Sequence, residues 1–175
     1  MFSNPQKNVE NFNLDPGMRV ADFGSGSGHY AIALARKVSK SGRVYAVDVQ
    51  KDLLQKLKNE AQKLGLSNIE AVWGDIEHVG GTKIIENSLD AIVVSNVLFQ
   101  VQDKDSLCKE AKRILKPRGR VFIIDWTDSF GGLGPQLKDV FPEFKARELF
   151  EKNGFVFDRD VSVGDHHYGI IFKKQ

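Results

Sequence analysis

A chain of 175 residues and 19.6 kDa has room for one domain and buries roughly 70% of its unfolded surface, so it needs no disulfide or metal staple. Hydrophobic residues are 41% and charged residues 27%, which excludes intrinsic disorder as the main state. Lys plus Arg number 25 against 23 Asp plus Glu, a formal charge of +2, so no global field draws the chain to nucleic acid or an anionic membrane.

Short apolar runs alternate with amphipathic stretches, the pattern of a βαβ series around a buried parallel sheet. Residues 19–23 read as the first strand, followed by a glycine turn and a helix over about 28–40, where Ala31, Leu34, Ala35 and Val38 recur at helical spacing. Residues 43–48 form the second strand. The next helix carries Leu53, Leu54, Leu57, Ala61 and Leu64 on one stripe, with Asp52 near its start and Gly65 as its stop. Strands follow over 69–74 and 89–95, then a helix over 103–115 that Pro117–Gly119 ends, then a fifth strand over 120–126. An irregular stretch over 127–135 holds Gly131, Gly132 and Gly134, and a helix over 142–153 stops at Gly154. Runs over 155–161 and 168–173, joined by a turn, read as a β-hairpin. The expected architecture is α/β: a Rossmann-like doubly wound sheet of seven strands, mostly parallel, closed by a C-terminal antiparallel hairpin. Residues 1–175 are expected to be one domain.

The most informative segment is Val20-Ala21-Asp22-Phe23-Gly24-Ser25-Gly26-Ser27-Gly28. A strand running into small residues and then a helix brings backbone close to a ligand, with helix N–H groups pointing at it. The dinucleotide fingerprint G-x-G-x-x-G needs a glycine where this chain has His29. Two further acids stand at the ends of the next strands. Asp48 can accept the two hydroxyls of a ribose, and Asp75, in Gly74-Asp75-Ile76, can accept from the exocyclic amine of a base. Each alone reads equally well as a turn or cap acid. Together, at successive strand tips beside the glycine turn, they suit a cation-bearing nucleoside better than a pyrophosphate.

VADFGSGSGHYAIALA, VYAVDV, WGDIE, LDAIVVSNVLFQV and LKPRGRVFIIDW, in this order, resemble the motif series of class I S-adenosylmethionine-dependent methyltransferases. The branch typified by ubiquinone and menaquinone biosynthesis is the most similar. The resemblance implies S-adenosyl-L-methionine as cofactor and in-line methyl transfer to a small-molecule acceptor. By it, Gly24, Ser25 and Gly26 pass under the methionine and ribose, with Asp22 nearby. Asp48 takes the ribose hydroxyls, Val49 packs on the adenine, and Asp75 binds the adenine amine with the Ile76 N–H on a ring nitrogen. The backbone around Ser95 and Asn96 holds the methionine ammonium, and a helix over 5–12 sits as a lid.

Methyl transfer from a sulfonium needs alignment, exclusion of water and sometimes removal of a proton, so no triad is expected. Candidates on the acceptor side are Asp125, His166 and His167, with Trp126, Asp165 and Tyr168 nearby; an exposed polar hairpin turn explains the histidines as well. His29 and Phe99 with Gln100 also border the expected pocket, and His78 has no identifiable partner. The glycines over 131–134 suit either a mobile cover or an ordinary connection. Cys108 reads as a small buried residue that forms no intrachain disulfide. The basic run Lys109, Lys112, Arg113, Lys116, Arg118 and Arg120 reads as solvated surface at the opposite edge of the sheet.

Apolar runs such as Ala91–Val94 are far too short for a bilayer, and no cationic segment followed by an apolar stretch opens the chain. A cytoplasmic protein with no metal site is the expectation. Competing readings are a protein or RNA methyltransferase, a nicotinamide oxidoreductase and a binding module without catalysis. Ser95-Asn96-Val97-Leu98 lacks the Asn/Asp-Pro-Pro-aromatic signature of base-nitrogen methylation, and no Tyr-x-x-x-Lys pair supports the oxidoreductase.

Overall fold

A computed structural model describes residues 3–130, 132 and 134–175. In chain order the elements are α1 (Pro5–Glu10), β1 (Arg19–Phe23), α2 (His29–Lys37), β2 (Arg43–Asp48), α3 (Lys51–Lys63), β3 (Ile69–Trp73), β4 (Leu89–Ser95), α4 (Lys104–Ile114), β5 (Leu115–Trp126), α5 (Glu143–Lys152), β6 (Phe155–Asp160) and β7 (His167–Lys174). The seven strands form one sheet in the order β3-β2-β1-β4-β5-β7-β6, in which only β7 runs against the rest. The expected Rossmann-like sheet with a closing hairpin is what the chain forms. Strand order reverses between β1 and β4, and that reversal opens a crevice at the C-terminal strand ends.

Two apolar layers sandwich the sheet. Val20, Val44, Ala91, Val93, Phe122 and Ile171 point toward α1, α2 and α3. Ala21, Val47, Ile92, Val94, Val121 and Phe172 point toward α4 and α5. Alternate residues of the same strands therefore feed opposite layers, which is why β1, β4 and β5 read as continuous apolar runs.

Most boundaries fall within two residues of the periodicity, and three differences bear on the site or the framework. α2 ends at Lys37, short of residue 40, because Val38 caps it and Ser39 takes φ +60. β5 starts at Leu115 rather than 120: Leu115 pairs with Leu89 and Arg120 with Ala91, so Pro117–Gly119 is absorbed in a bulge with Arg118 at φ +64. β7 starts one residue early, which takes His167 out of the turn and pairs it with Trp126.

The basic run is largely spent on this framework. Arg113 pairs with Glu110 at 2.8 Å and donates to the Ile84 carbonyl. Fully buried Glu110 also accepts from Gly80 N–H and from Thr82 N–H and Oγ1. Burial raises its pKa, but the Arg113, Thr82 and Gly80 bonds outweigh that and hold it below the usual range. Lys116 binds Asp90 at 2.6 Å, and Arg120 donates to the carbonyls of Phe12 and Asn13. Among the described residues no helix is long and apolar enough to cross a membrane.

Candidate active site

The turn after β1 is held by Gly24 and Ser25 N–H groups, both donating to the Val47 carbonyl at 2.9 and 3.0 Å. Gly24 sits at φ +69, and a Cβ there would stand 2.6 Å from Val97. Gly28 sits at φ +88, where a Cβ would meet Leu57 of α3 at 2.2 Å. Backbone conformation and space thus both demand glycine at these two positions, and the turn lies flat against the crevice.

The crevice has two lobes that meet at Gly24 and Gly26. The first, about 380 Å³, is walled by Val47–Gln50 with Leu53, by Gly74–Glu77, and by Val97, Gln100 and Val101. The second, about 430 Å³, is lined by Asp22, Ser25, His29, Tyr30, Ser95 and Asn96, with Ser3 and Pro5 at its rim. Among the described residues no Lys or Arg lines either lobe, whereas Asp22, Asp48, Asp75 and Glu77 do. The three strand-tip acids are therefore divided between the lobes: Asp22 faces the second, Asp48 and Asp75 the first.

Asp48 is buried, with Oδ2 accepting from Gly26 N–H and Oδ1 from Gln50 N–H, both at 2.8 Å. A carboxylate offers about four acceptor sites, so it retains capacity toward the first lobe. Asp75 is more committed than the sequence indicates. Oδ1 accepts from Glu77 N–H, and Oδ2 lies 2.7 Å from Nδ1 of His78, the histidine with no evident partner in the sequence.

Asp22 is 2% exposed. Burial pushes its pKa up to about 7, against an opposing Ala31 N–H and with a smaller upward push from the Asp48 charge. Its Oδ2 has no hydrogen-bond partner, nor do Ser25 Oγ and Asn96 Oδ1. Buried polar atoms without partners are uncommon in folded proteins, and with Ser95 Oγ four of them converge on one lobe. Asn96 also holds φ +56, a strained backbone at the strand end, with its N–H on the Ile124 carbonyl at 2.8 Å.

Helix α1 closes the second lobe from above. Asn8 donates to Tyr30 Oη at 2.8 Å, to Ser3 Oγ at 2.9 Å and to the Val163 carbonyl at 3.4 Å. Phe12 stacks on Phe122 with centroids 4.3 Å apart. Tyr30 and Val97 also face the crevice, and the sequence signals them only by position, one residue after His29 and two after Ser95.

The acceptor-side candidates lie apart from both lobes. Asp125, expected at the substrate mouth, is 0% exposed, and its oxygens accept from Val97, Leu98 and Trp126 N–H at 3.2, 2.8 and 2.9 Å. It faces inward because three backbone donors converge on it, so it positions the loop after β4 and touches no ligand space. Burial pushes its pKa up to about 6 against those bonds. His166 is half-buried, with Nδ1 3.0 Å from Asp128 and its ring stacked on Phe130 at 4.2 Å. His167 is 8% exposed, and its ring packs at a tilt of 39° against Trp126 with centroids 4.2 Å apart. Gly134 abuts the same indole, while Gly131 and Leu133 of the expected cover lie outside the described residues. Cys108 is buried against α5, and burial pushes its thiol pKa up.

A family described as "Methyltransferase domain" matches residues 14–162. The chain is 36% identical over 113 residues to an arsenite methyltransferase of Aquipseudomonas alcaligenes, covering 62% of this chain and 33% of that one. It is 30% identical over 112 residues to the ubiquinone/menaquinone biosynthesis C-methyltransferase UbiE of Haemophilus ducreyi, covering 63% and 42%. These matches span a third to under half of those relatives' length. A solved structure of a SAM-dependent methyltransferase from Aquifex aeolicus superimposes with a TM-score of 0.90 at 29% identity, covering 99% of this chain and 91% of that one.

Proposed function

The chain belongs to the methyltransferase-domain family of class I S-adenosylmethionine-dependent enzymes, and from that premise we propose that it methylates a small-molecule acceptor. The observation that carries this reading is an acid-lined, two-lobed crevice with no Lys or Arg in its lining among the described residues. Carboxylates on every side disfavour a pyrophosphate by charge, whereas a ligand with an adenosine end, an ammonium and a sulfonium matches both lobes. The unpartnered Asp22, Ser25 and Asn96 atoms fit the polar amino-acid end of S-adenosylmethionine.

In this reading Asp48 accepts the ribose hydroxyls, Val49 and Ile76 pack on the adenine, and Asp75 accepts its amine in exchange with His78. Gly24 and Gly26 let the backbone lie under the ligand. Asp22 and Asn96 hold the ammonium, and Ser25 a carboxylate oxygen. When bound, the cofactor supplies a methyl group already activated on sulfur. The protein's own work is to align the acceptor and exclude water. Tyr30 and α1 cover one side of the crevice, and the loop that Asp125 fixes covers the other. His166, oriented through Nδ1 by Asp128, is the group we assign to proton removal where the acceptor requires it. The alternative, a protein or RNA acceptor, finds no cationic patch along the crevice to support it.

Asp48→Ala is expected to weaken S-adenosylhomocysteine binding by about 1.5–3 kcal/mol, roughly 10- to 150-fold, through lost charge-assisted bonds and a loosened glycine turn. Calorimetry against S-adenosylhomocysteine and NAD checks it. Binding of NAD in preference, or an unchanged affinity in the variant, overturns the assignment.

A further inference from the structure

Outside the crevice, the described residues contain one other buried side chain whose polar atoms have no partner: His167, at both Nδ1 and Nε2. A neutral imidazole carries one donor and one acceptor, and leaving both unmet in the interior is costly. Every other buried polar group on β5 and β7 has its bond; the Tyr168 hydroxyl, for example, donates to the Phe141 carbonyl at 2.9 Å. Both nitrogens are sealed from solvent, so a partner reaches them only when the side chains around the ring move aside.

Sheet geometry says where that partner lies. Asp22 pairs with Val93, Val93 with Phe122, and Phe122 with Ile171, all on the α1–α3 face. Two residues on, the same face presents Ser95 and Ile124, and beyond them Trp126 opposite His167. His167 thus stands past the strand ends on the same face as Asp22 and Ser95. It is two strands to the side of Ser95, a lateral offset of roughly 10 Å at the usual strand spacing.

The surroundings define its chemistry. The Trp126 indole lies 4.2 Å from the imidazole, and the exposed Phe130 ring extends from the adjacent His166. We propose that His167 anchors the methyl acceptor by a hydrogen bond to a neutral protic group on a small apolar body, with Trp126 as its wall. This assignment rests on the methyltransferase reading of the crevice. A charged group is a poor match, because no Lys, Arg or carboxylate forms a hydrogen bond or ion pair with His167 and the indole side is apolar.

The test uses the full chain saturated with S-adenosylhomocysteine, with phenol as protic probe and anisole as its non-protic counterpart. Histidine ring nitrogen resonances and probe affinity are read together. Phenol is expected to shift the His167 nitrogens and to bind at least tenfold more weakly to His167→Phe, while S-adenosylhomocysteine affinity stays within twofold. Anisole is expected to leave those resonances in place. His167→Asn, which keeps a polar group in less volume, covers the case in which the phenylalanine variant fails to fold; it too must lose phenol at constant cofactor affinity. Unmoved His167 resonances, equal phenol binding in a folded variant, or equal effects of anisole and phenol overturn the anchor while leaving the crevice reading intact. Failure of S-adenosylhomocysteine to bind the wild type at all overturns both.

Discussion

At pH 8, Asp22→Asn is expected to melt at a higher temperature than the wild type when both are free of ligand, and to bind S-adenosylmethionine about 10- to 100-fold more weakly. Both effects follow from one buried carboxyl. Its pKa stands at about 7 against an ordinary 3.8, chiefly because burial disfavours the charge. A raised pKa means that the folded state holds the proton more tightly than the unfolded state. The stability this brings is complete below pH 3.8 and is lost as pH rises through about 7. Three pKa units correspond to about 4 kcal/mol, of which an amide recovers roughly 2–3 kcal/mol, since it also carries unmet polar atoms. For a chain of this length that is a gain of roughly 4–12 °C. At pH 5.5, where folded Asp22 is largely protonated, about 2 kcal/mol of that gain should be gone. Thermal melts at the two pH values provide the check, and an equal shift at both defeats the argument.

The binding side has its own sign. A cation placed against Asp22 favours the ionised carboxylate, so binding below pH 7 must expel a proton. Affinity for S-adenosylmethionine is therefore expected to rise between pH 5.5 and 7 and to level off above. Calorimetry in two buffers of different ionisation heat should register the released proton at pH 6 and little at pH 8. A flat affinity profile removes the ammonium from Asp22. The carboxyl is then a site where the free protein accepts instability in exchange for a binding charge, a common arrangement in functional clefts.

What the sequence discloses follows the range of the interaction. β1, β2 and β4 end where they read, at Phe23, Asp48 and Ser95, because each is a buried apolar run stopped by a local change of residue type. The glycine turn is legible for the same reason: Gly24, Gly26 and Gly28 are consecutive signals beside one strand end. Groups whose partners lie far along the chain are not. Arg113 looks like solvated surface until Glu110 is seen to be held by Gly80 and Thr82 from another loop. His78 looks unpaired until the turn folds it onto Asp75. The split of the acids between two lobes is a property of side-chain direction at strand tips, which neither spacing nor periodicity encodes. The start of β5 is a register effect: pairing with β4 resumes beyond a bulge that Pro117–Gly119 reads as a simple stop.

Asp125 is the sharpest case, and replacing it separates positioning from contact. Asp125→Ala strands the N–H groups of Val97 and Leu98 in a buried loop. Unmet buried donors cost about 1–3 kcal/mol each. Removing the carboxylate also relieves its own burial, the largest cause of a pKa pushed to about 6. The net loss expected is about 2–4 kcal/mol, seen as a lower urea midpoint at unchanged slope. Val97, Gln100 and Val101 line the first lobe, so the adenosine end loses its wall as the loop relaxes. Affinity for S-adenosylhomocysteine should fall about 10-fold although Asp125 touches neither lobe. Asp125→Asn distinguishes the two roles. An amide retains one acceptor but turns a donor toward the remaining N–H groups, so it should recover part of the stability and part of the affinity together. A group in contact with the acceptor behaves otherwise, losing turnover at constant stability and constant cofactor affinity. If the alanine variant unfolds at the wild-type urea concentration, the Val97 and Leu98 bonds do not hold the loop, and Asp125 returns to the acceptor side of the crevice.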